Sequence, residues 1–419
     1  MKFSSLDLSA DLLSALDACG YTDMTPVQQQ AIVPARRGKD ILANAQTGTG
    51  KTAAFSLPIL QQMTERPKEV QPGHVRALIL TPTRELAEQL ADTIGRYAQN
   101  LPLSVLALYG GTTVAKQANK LAKGVDVLIA TPGRLIEHAV ECNLHLSQVE
   151  FLVLDEADRM LDMGFLSDVS KILQQTPESR QSLLFSATIS PDVNELSKQL
   201  LKRPEVIRVA KQNVVADTID HVVYEIDEQR KPDLFAKLIK EENWFQVLVF
   251  TSTKAQADSL AMDLKVDGIK GVICHGDISQ GARRRALADF KSGKVQVLIA
   301  TEVAARGLDI QGLEHVVNFN LPYLAEDYVH RVGRAGRAGM PGKAISFVSR
   351  EEERTLNDIE HLIGSRIKRV YMEGFEVSKR EGLKKYLKKA RKAPRSNKVT
   401  RTKIVKSAGA GKKKPSKRK

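Results

Sequence analysis

The chain has 419 residues, too many for one ordinary hydrophobic core, so two domains plus extensions are expected. With 42% hydrophobic and 27% charged residues it has the make-up of a globular protein, and no apolar run approaches the ~20 residues that a membrane span requires. Its net charge of +14 is unevenly placed: Lys379 to Lys419 hold nineteen Lys/Arg against one acid, Glu381, a surplus of +18 that leaves the first 378 residues at −4.

The opening MKFSSLDLSADLL carries acids and no apolar segment, so no signal peptide is expected. Cys19, Cys142 and Cys274 show neither CxxC spacing nor a disulfide framework and are expected to be reduced, mostly buried residues of a cytoplasmic protein. Ser9 before Leu12, Leu13 and Leu16, with Gly20 as the stop, predicts a first helix. Short apolar runs then alternate with helical periodicity: DILAN (40–44), ALILT (77–81), SVLALYG (104–110), DVLIAT (126–131), EFLVLD (150–155) and SLLFSAT (182–188). Continuous apolar strands between helices indicate a parallel sheet covered on both faces. Helical periodicity lapses near 202–218, and the pattern restarts with QVLVFTS (246–252), KGVICHG (270–276), VQVLIAT (295–301), EHVVNFN (314–320) and KAISFVS (343–349). VLIAT occurs in both halves, at 127–131 and 297–301, which suggests two similar α/β domains. The polycationic end predicts a disordered arm for a polyanion. Its KKKPSKRK terminus would also suit nuclear import.

Ligands of open parallel sheets bind beyond the carboxyl ends of the strands, so the residues that follow each run carry the functional information. After DILAN comes AQTGTGKT and then a helical stretch, the strand–loop–helix order of a phosphate-binding loop, with Ala45 where the general pattern has its first glycine. Loop N–H groups can face phosphates there, Lys51 supplies a compact cation and Thr52 can ligate Mg²⁺. Asp155, at the tip of FLVLD, faces a desolvation penalty unless it has a partner, and beside a phosphate loop it can hold the metal shell. Glu156 is then placed to orient and deprotonate water. In HRVGRAGRAG, Arg331, Arg334 and Arg337 recur at three-residue intervals in the second half, so a site using them closes only when the two halves meet. No histidine shows metal-ligand spacing; Trp244 and His275 are expected to be structural.

Together these segments identify the chain as resembling the DEAD-box RNA helicases over about residues 3–350. DEAD stands at Asp155-Glu156-Ala157-Asp158, and the family's loop reads AxTGxGKT, so Ala45 is its own residue. The resemblance implies two tandem RecA-like α/β domains with parallel sheets flanked by helices. They would comprise a Q-motif segment over 1–29, a first domain over 30–208, a linker over 209–217, a second domain over 218–370 and a basic disordered tail over 371–419. It implies ATP and Mg²⁺ as ligands, with Ala45, Gln46, Thr47, Gly48, Thr49, Gly50, Lys51 and Thr52 around the phosphates. Gln28 would read adenine, Tyr21 would stack on it with Phe3 as the distant aromatic, and Gly307 and Asp309 would lie at the ribose. The catalytic set is Lys51, Asp155, Glu156, Arg334 and Arg337, with Mg²⁺ on Thr52 and Asp155, partly through water. Ser186, Thr188, Asp158 and His330 would couple hydrolysis to unwinding.

RNA contacts are expected from Pro82, Thr83, Arg84, Gly110, Gly111, Thr131, Pro132, Gly133 and Arg134. The second domain would add Thr251, Gln280, Arg283 and Thr301. Hydroxyls, glycine N–H groups and single arginines suit a sugar-phosphate backbone, so binding should tolerate sequence. Two residues depart from the family pattern: Glu302 where Asp is usual, and Ala335 where Thr or Ser is common. The short N-terminus, PTRELAEQ and GGT resemble the bacterial RhlE-type subgroup. The expected activity is ATP-dependent local unwinding of short RNA duplexes or remodelling of RNA–protein particles by a cytoplasmic monomer with ribosomal or RNP partners and no membrane. The alternatives are an RNA clamp with little turnover and a DNA-duplex motor.

Overall fold

A computed structural model of the chain describes residues 1–45, 48–141, 143–209, 219–305, 310, 312–336 and 342–377. The first sheet is built from β1 (Ile41–Asn44), β2 (Val75–Leu80), β3 (Val105–Leu108), β4 (Val125–Ala130), β5 (Phe151–Leu154), β6 (Gln181–Ser186) and β7 (Glu205–Arg208), in the order β3-β4-β2-β5-β6-β1-β7. The second contains β8 (Ile219–Glu225), β9 (Val247–Thr251), β10 (Gly271–Cys274), β11 (Val297–Thr301), β12 (His315–Asn318), β13 (Gly342–Val348) and β14 (Lys368–Val370), in the order β10-β11-β9-β12-β13-β8-β14. Every pairing is parallel. The two orders are the same pattern, and the repeated VLIAT segments fall on β4 and β11, the second strand of each. The first sheet ends at Arg208 and the second begins at Ile219; most of the expected linker lies outside the described residues.

Because side chains alternate across a strand, an all-apolar strand feeds two cores at once. In β2, Ala77 and Ile79 join one cluster while Leu78 and Leu80 join the cluster on the opposite face. Strand β9 does the same in the second sheet, with Leu248 and Phe250 on one side and Val247 and Val249 on the other. Helices supply the cover. In the first half they are α1 (Ala10–Ala18), α2 (Pro26–Arg36), α3 (Lys51–Glu65), α4 (Arg84–Tyr97), α5 (Val114–Leu121), α6 (Pro132–Val140), α7 (Ala157–Asp162), α8 (Leu166–Gln175) and α9 (Pro191–Leu200). In the second they are α10 (Lys231–Glu241), α11 (Lys254–Val266), α12 (Gln280–Lys291), α13 (Glu302–Ala305), α14 (Ala325–Val332) and α15 (Glu353–Ile363).

Hydroxyl caps start the helices where the sequence places them. Ser9 accepts from the Leu12 N–H (3.4 Å), Thr83 from Leu86 (3.3 Å), Thr253 from Gln256 (3.1 Å) and Ser279 from Ala282 (3.3 Å). Phe3, Leu12, Leu16 and Val27 pack into the same cluster as Ile41 of β1, so the Q-motif segment is part of the first core.

Both sheets belong to one unit, Met1–Glu376; of the second unit, Val377–Lys419, only Val377 is described. The expected tail boundary at 371 falls inside packed chain. Phe375 lies under Arg230 (4.6 Å) and Lys237 (5.6 Å), cation–π contacts that hold 371–376 beside α10. No helix among the described residues is long and apolar enough to cross a membrane. Trp244 is 1% exposed, stacked on His315 at 4.7 Å, with its Nε1–H donated to Glu242 (2.9 Å). His275 is buried against Asp258 (3.0 Å). Cys19 and Cys274 are free thiols, and Cys142 lies outside the described residues.

Candidate active site

Strand β1 is short, and the chain turns at Gly48 and Gly50 straight into α3, whose first residue is Lys51. Gly50 has φ of +89°, and a Cβ there would overlap the Gln28 amide, so both backbone geometry and space demand glycine. Gln28 is buried: its Oε1 accepts from the Thr25 N–H (2.8 Å) and its Nε2 donates to the Gly50 carbonyl (3.0 Å). The amide expected to read adenine therefore also ties the N-terminal segment to the phosphate loop. Tyr21 keeps its ring exposed, flanked by Phe3 (6.2 Å between centroids) and hydrogen-bonded by the Tyr97 hydroxyl (3.4 Å). Ala45 is buried, and its N–H continues the ladder to Ser186 (2.9 Å). Thr49 and Thr52 are half-buried beside it, while Gln46 and Thr47 lie outside the described residues.

Lys51 and Asp155 meet inside the protein. Their side chains are 6% and 5% exposed, with Nζ 3.6 Å from Oδ1, and Nζ has no hydrogen-bond acceptor among the described residues. Burial pushes the Asp155 carboxyl up to about 6; Lys51 pulls the other way and the charge of Glu156 adds to the rise. The cradle is electrostatically incomplete: a desolvated carboxylate and a desolvated ammonium too far apart to satisfy each other. Among the described residues no group of three or more His, Cys, Asp or Glu could hold an ion by itself. An ion seated here would draw most of its ligands from phosphate and water, the habit of Mg²⁺, and Asp155 with the Thr52 hydroxyl fits that donor set.

Glu156 adopts a left-handed conformation (φ 55°), which for a non-glycine residue costs about 1 kcal/mol. Its N–H is donated to Asp155 Oδ1 (3.0 Å), and its buried carboxylate lies 3.5 Å from Arg159. Asp158 faces the other way. Its Oδ2 accepts from the N–H groups of Ala187 (3.1 Å) and Thr188 (2.9 Å) and from the Thr188 hydroxyl (3.0 Å). Ser186 closes the ring, accepting from the Asp158 N–H (3.2 Å) and donating to the Thr188 carbonyl (2.7 Å). One short turn thus faces the phosphate loop through Asp155 and grips the end of β6 through Asp158.

The residues expected along a polynucleotide follow strands of both sheets. Pro82 and Thr83 are buried at the start of α4. Arg84 lies over the glycine doublet: a methyl on Gly110 would meet its Nη2 at 3.5 Å, and one on Gly111 (φ +85°) would overlap Nη1. Thr131 and Pro132 are buried at the head of α6 and Gly133 is exposed. Arg134 is 9% exposed; its Nη2 donates to the Thr112 carbonyl (3.0 Å) and its Nε lies 3.3 Å from Glu137, while among the described residues Nε and Nη1 have no hydrogen-bond acceptor of good geometry. Thr251 is fully buried and donates its hydroxyl to the Thr253 carbonyl (3.3 Å), so the exposed group of that segment is Ser252, whose N–H is held by Asn320 (3.2 Å). Thr301 is half-buried and paired in register with Thr251.

Gln280 and Arg283 point at the first half of the chain, both onto Glu85 Oε1 (3.2 and 2.9 Å). Beside them Arg284 engages Glu88 and donates to the Tyr109 hydroxyl (3.0 Å). Glu85, Glu88, Tyr109 and Arg284 were not singled out by sequence; the available signal was the i, i+3 spacing of the two glutamates on α4.

Of the three spaced arginines, Arg331 differs from the expected cluster. It is 3% exposed, donates from Nη1 to Asn318 (3.1 Å) and to the Asn320 carbonyl (2.7 Å), and packs over the Phe250 ring (5.0 Å). Its Nε is bonded to Glu302, which gives that longer acid a defined partner. Arg334 and His330 are half-buried near the end of α14. Gly307, Asp309 and Arg337 lie outside the described residues.

A DEAD/DEAH box helicase model matches residues 25–196, and a helicase conserved C-terminal domain model matches 230–339. The DEAD-box ATP-dependent RNA helicase CshA of Streptococcus pneumoniae is 41% identical over 92% of this chain and 73% of its own length. The ATP-dependent RNA helicase RhlB of Pseudomonas aeruginosa is 43% identical over 87% of this chain and 94% of its own. These subgroup names differ from the RhlE type expected, and the matches establish the family. Among solved structures, S. cerevisiae Dbp5 bound to RNA and ADP BeF3 superposes with a TM-score of 0.77 at 29% identity, covering 93% of this chain and 99% of that one. The DEAD-box helicase Mss116 bound to ssRNA and UDP-BeF gives 0.80 at 28% identity, covering 93% and 82%. The two family models and the relatives matched over most of this chain show that the chain belongs to the DEAD-box ATP-dependent RNA helicases.

Proposed function

We propose that the chain hydrolyses ATP on binding RNA, its two halves closing on single-stranded RNA to separate short duplexes locally or remodel RNA–protein particles. The observation that carries this reading is the DEAD turn, where Asp155 faces Lys51 and Asp158 holds Ala187 and Thr188. A change at the γ-phosphate end of the turn moves the end of β6 with it, and four residues are too short to absorb the movement. Lys51 would neutralise phosphate charge from α3, and the half-buried Arg334 would add positive charge from the second half. Glu156, next to a carboxyl raised by burial, would take the proton of the attacking water. Thr52 and Asp155 would hold Mg²⁺, which when bound screens the phosphate oxygens from one another. Arg84, Arg134 and the glycine doublet would grip the sugar-phosphate backbone, so the target is defined by strandedness.

One observation favours an RNA clamp instead: Arg159, 3.5 Å from Glu156, occupies in an ion pair the carboxylate that would take the proton. ATP hydrolysis measured with RNA, with DNA of the same length and with neither, for the wild type and Glu156→Gln, decides between them. RNA-specific stimulation lost in the variant supports the helicase; turnover equal in both supports the clamp, and stimulation by DNA supports a duplex motor. We place the chain in the cytoplasm as a monomer with ribosomal or RNP targets.

A further inference from the structure

We propose that Glu88 and Arg284, with Tyr109, are positioning residues: a charged tie across the two halves that sets the glycine doublet for RNA when the halves close. The inference rests on the reading above and names residues outside the motifs that define the family. The first turn of α12 presents Gln280, Arg283 and Arg284 to one face of α4, where Glu85 and Glu88 stand three residues apart. Two guanidinium groups meet two carboxylates, so the charges balance in pairs. The inner pair, Arg283 and Glu85, is 11% and 10% exposed, and there loss of one partner strands a desolvated charge. The outer pair, with Glu88 23% and Arg284 59% exposed, is worth little as a surface contact. Its significance lies in what Arg284 also touches.

Tyr109 is the residue before Gly110 and Gly111 and is held at both ends. Arg284 donates to its hydroxyl (3.0 Å), and Gln117 donates to its carbonyl (3.1 Å). Burial and the neighbouring Glu88 push the phenol up to about 12, so the hydroxyl stays protonated. Gln117 is oriented in turn by the buried ring of His138, whose Nε2 lies 3.3 Å from Oε1. On the far side of the doublet, Arg134 fixes the Thr112 carbonyl (3.0 Å). The doublet is therefore clamped at 109 and 112, and one clamp, the Tyr109 hydroxyl, is supplied only when the second half is in place. Closure and backbone grip become one event.

The test is charge reversal in the full chain: Glu88→Arg, Arg284→Glu and the two together, with a uridine oligonucleotide as probe. Each single reversal is expected to raise the RNA concentration for half-maximal ATP hydrolysis about tenfold. Turnover at saturating RNA and nucleotide affinity without RNA should stay within about twofold, and the double reversal should recover to within about threefold of wild type. A direct RNA contact by Arg284 gives the opposite sign for Glu88→Arg, tighter binding from an added cation, and no recovery in the double variant; that result overturns the tie. X-ray scattering reads the tie without turnover, the radius of gyration growing in each single variant and returning in the double. If the wild type shows no RNA stimulation, the functional reading fails by itself and scattering alone judges the tie: no growth in the single variants rejects it.

Discussion

Asp158→Asn isolates the coupling turn. The carboxylate Oδ2 takes three donors, the N–H groups of Ala187 and Thr188 and the Thr188 hydroxyl, at 2.9 to 3.1 Å, in a site 8% exposed. An amide nitrogen there would face two N–H groups that cannot reverse. Turning the amide over moves the conflict to the Arg159 N–H, which donates to Oδ1 at 3.0 Å. In that orientation one charge-assisted hydrogen bond is lost at about 1.5 kcal/mol and the three others fall to neutral strength at about 0.5 kcal/mol each, some 3 kcal/mol in total. For the unit Met1–Glu376, with an unfolding entropy of about 2.1 cal/mol/K per residue, that lowers the unfolding midpoint by about 4 °C. Calorimetry of the full chain measures it, and unwinding of a short RNA duplex per ATP consumed measures the coupling. ATP affinity should change little, because Lys51 and Asp155 are untouched, while duplexes separated per ATP should fall about tenfold or more. An unfolding midpoint within a degree or two of wild type, with the same yield per ATP, would refute the reasoning.

Asp155 gives a pH signature. Its folded pKa near 6 lies above the ordinary value of 3.8, so its carboxylate form is disfavoured by the fold and its share of stability falls as pH rises through that window. A bound cation needs the carboxylate, so magnesium-nucleotide affinity should rise with pH up to about 6 and then level, with proton release below that point; Asp155→Asn should remove the slope, and equal slopes in both would exclude this origin. Gly111→Ala should raise the half-saturating RNA concentration about tenfold, since its Cβ displaces Arg84 and its φ of +85° is strained, with RNA-free nucleotide affinity as the control. Removal of 379–419 takes away nineteen cations and one acid, so RNA affinity should drop and its dependence on salt should flatten; titrations across ionic strength check this, and an unchanged slope rules out an RNA-binding tail.

The strands that are apolar on both faces are legible in residue order alone, because helices on either side leave such segments no polar surface to alternate with. Residue order also marked the functional edge, since a parallel sheet puts every strand's carboxyl end on one side, and Lys51, Asp155 and Asp158 all follow strands. It did not mark β7, β8 or β14: β7 and β14 are short edge strands, and charges, Glu205, Arg208, Lys368 and Asp220 among them, hide the pattern in all three. Which polar groups face each other across long separations is set by the packing of the elements. Three arginines evenly spaced on one turn read alike, yet Arg331 is consumed by Asn318, Asn320 and Glu302 because α14 rolls it inward. Gln28 is read as an adenine reader from its motif, and its bond to the Gly50 carbonyl depends on how α2 sits on α3. The tie of Glu88 to Arg284 joins residues nearly two hundred positions apart, and no local pattern specifies it. Propensity and periodicity are properties of neighbours along the chain; charge pairing and burial are properties of neighbours in space, and the fold alone turns one into the other.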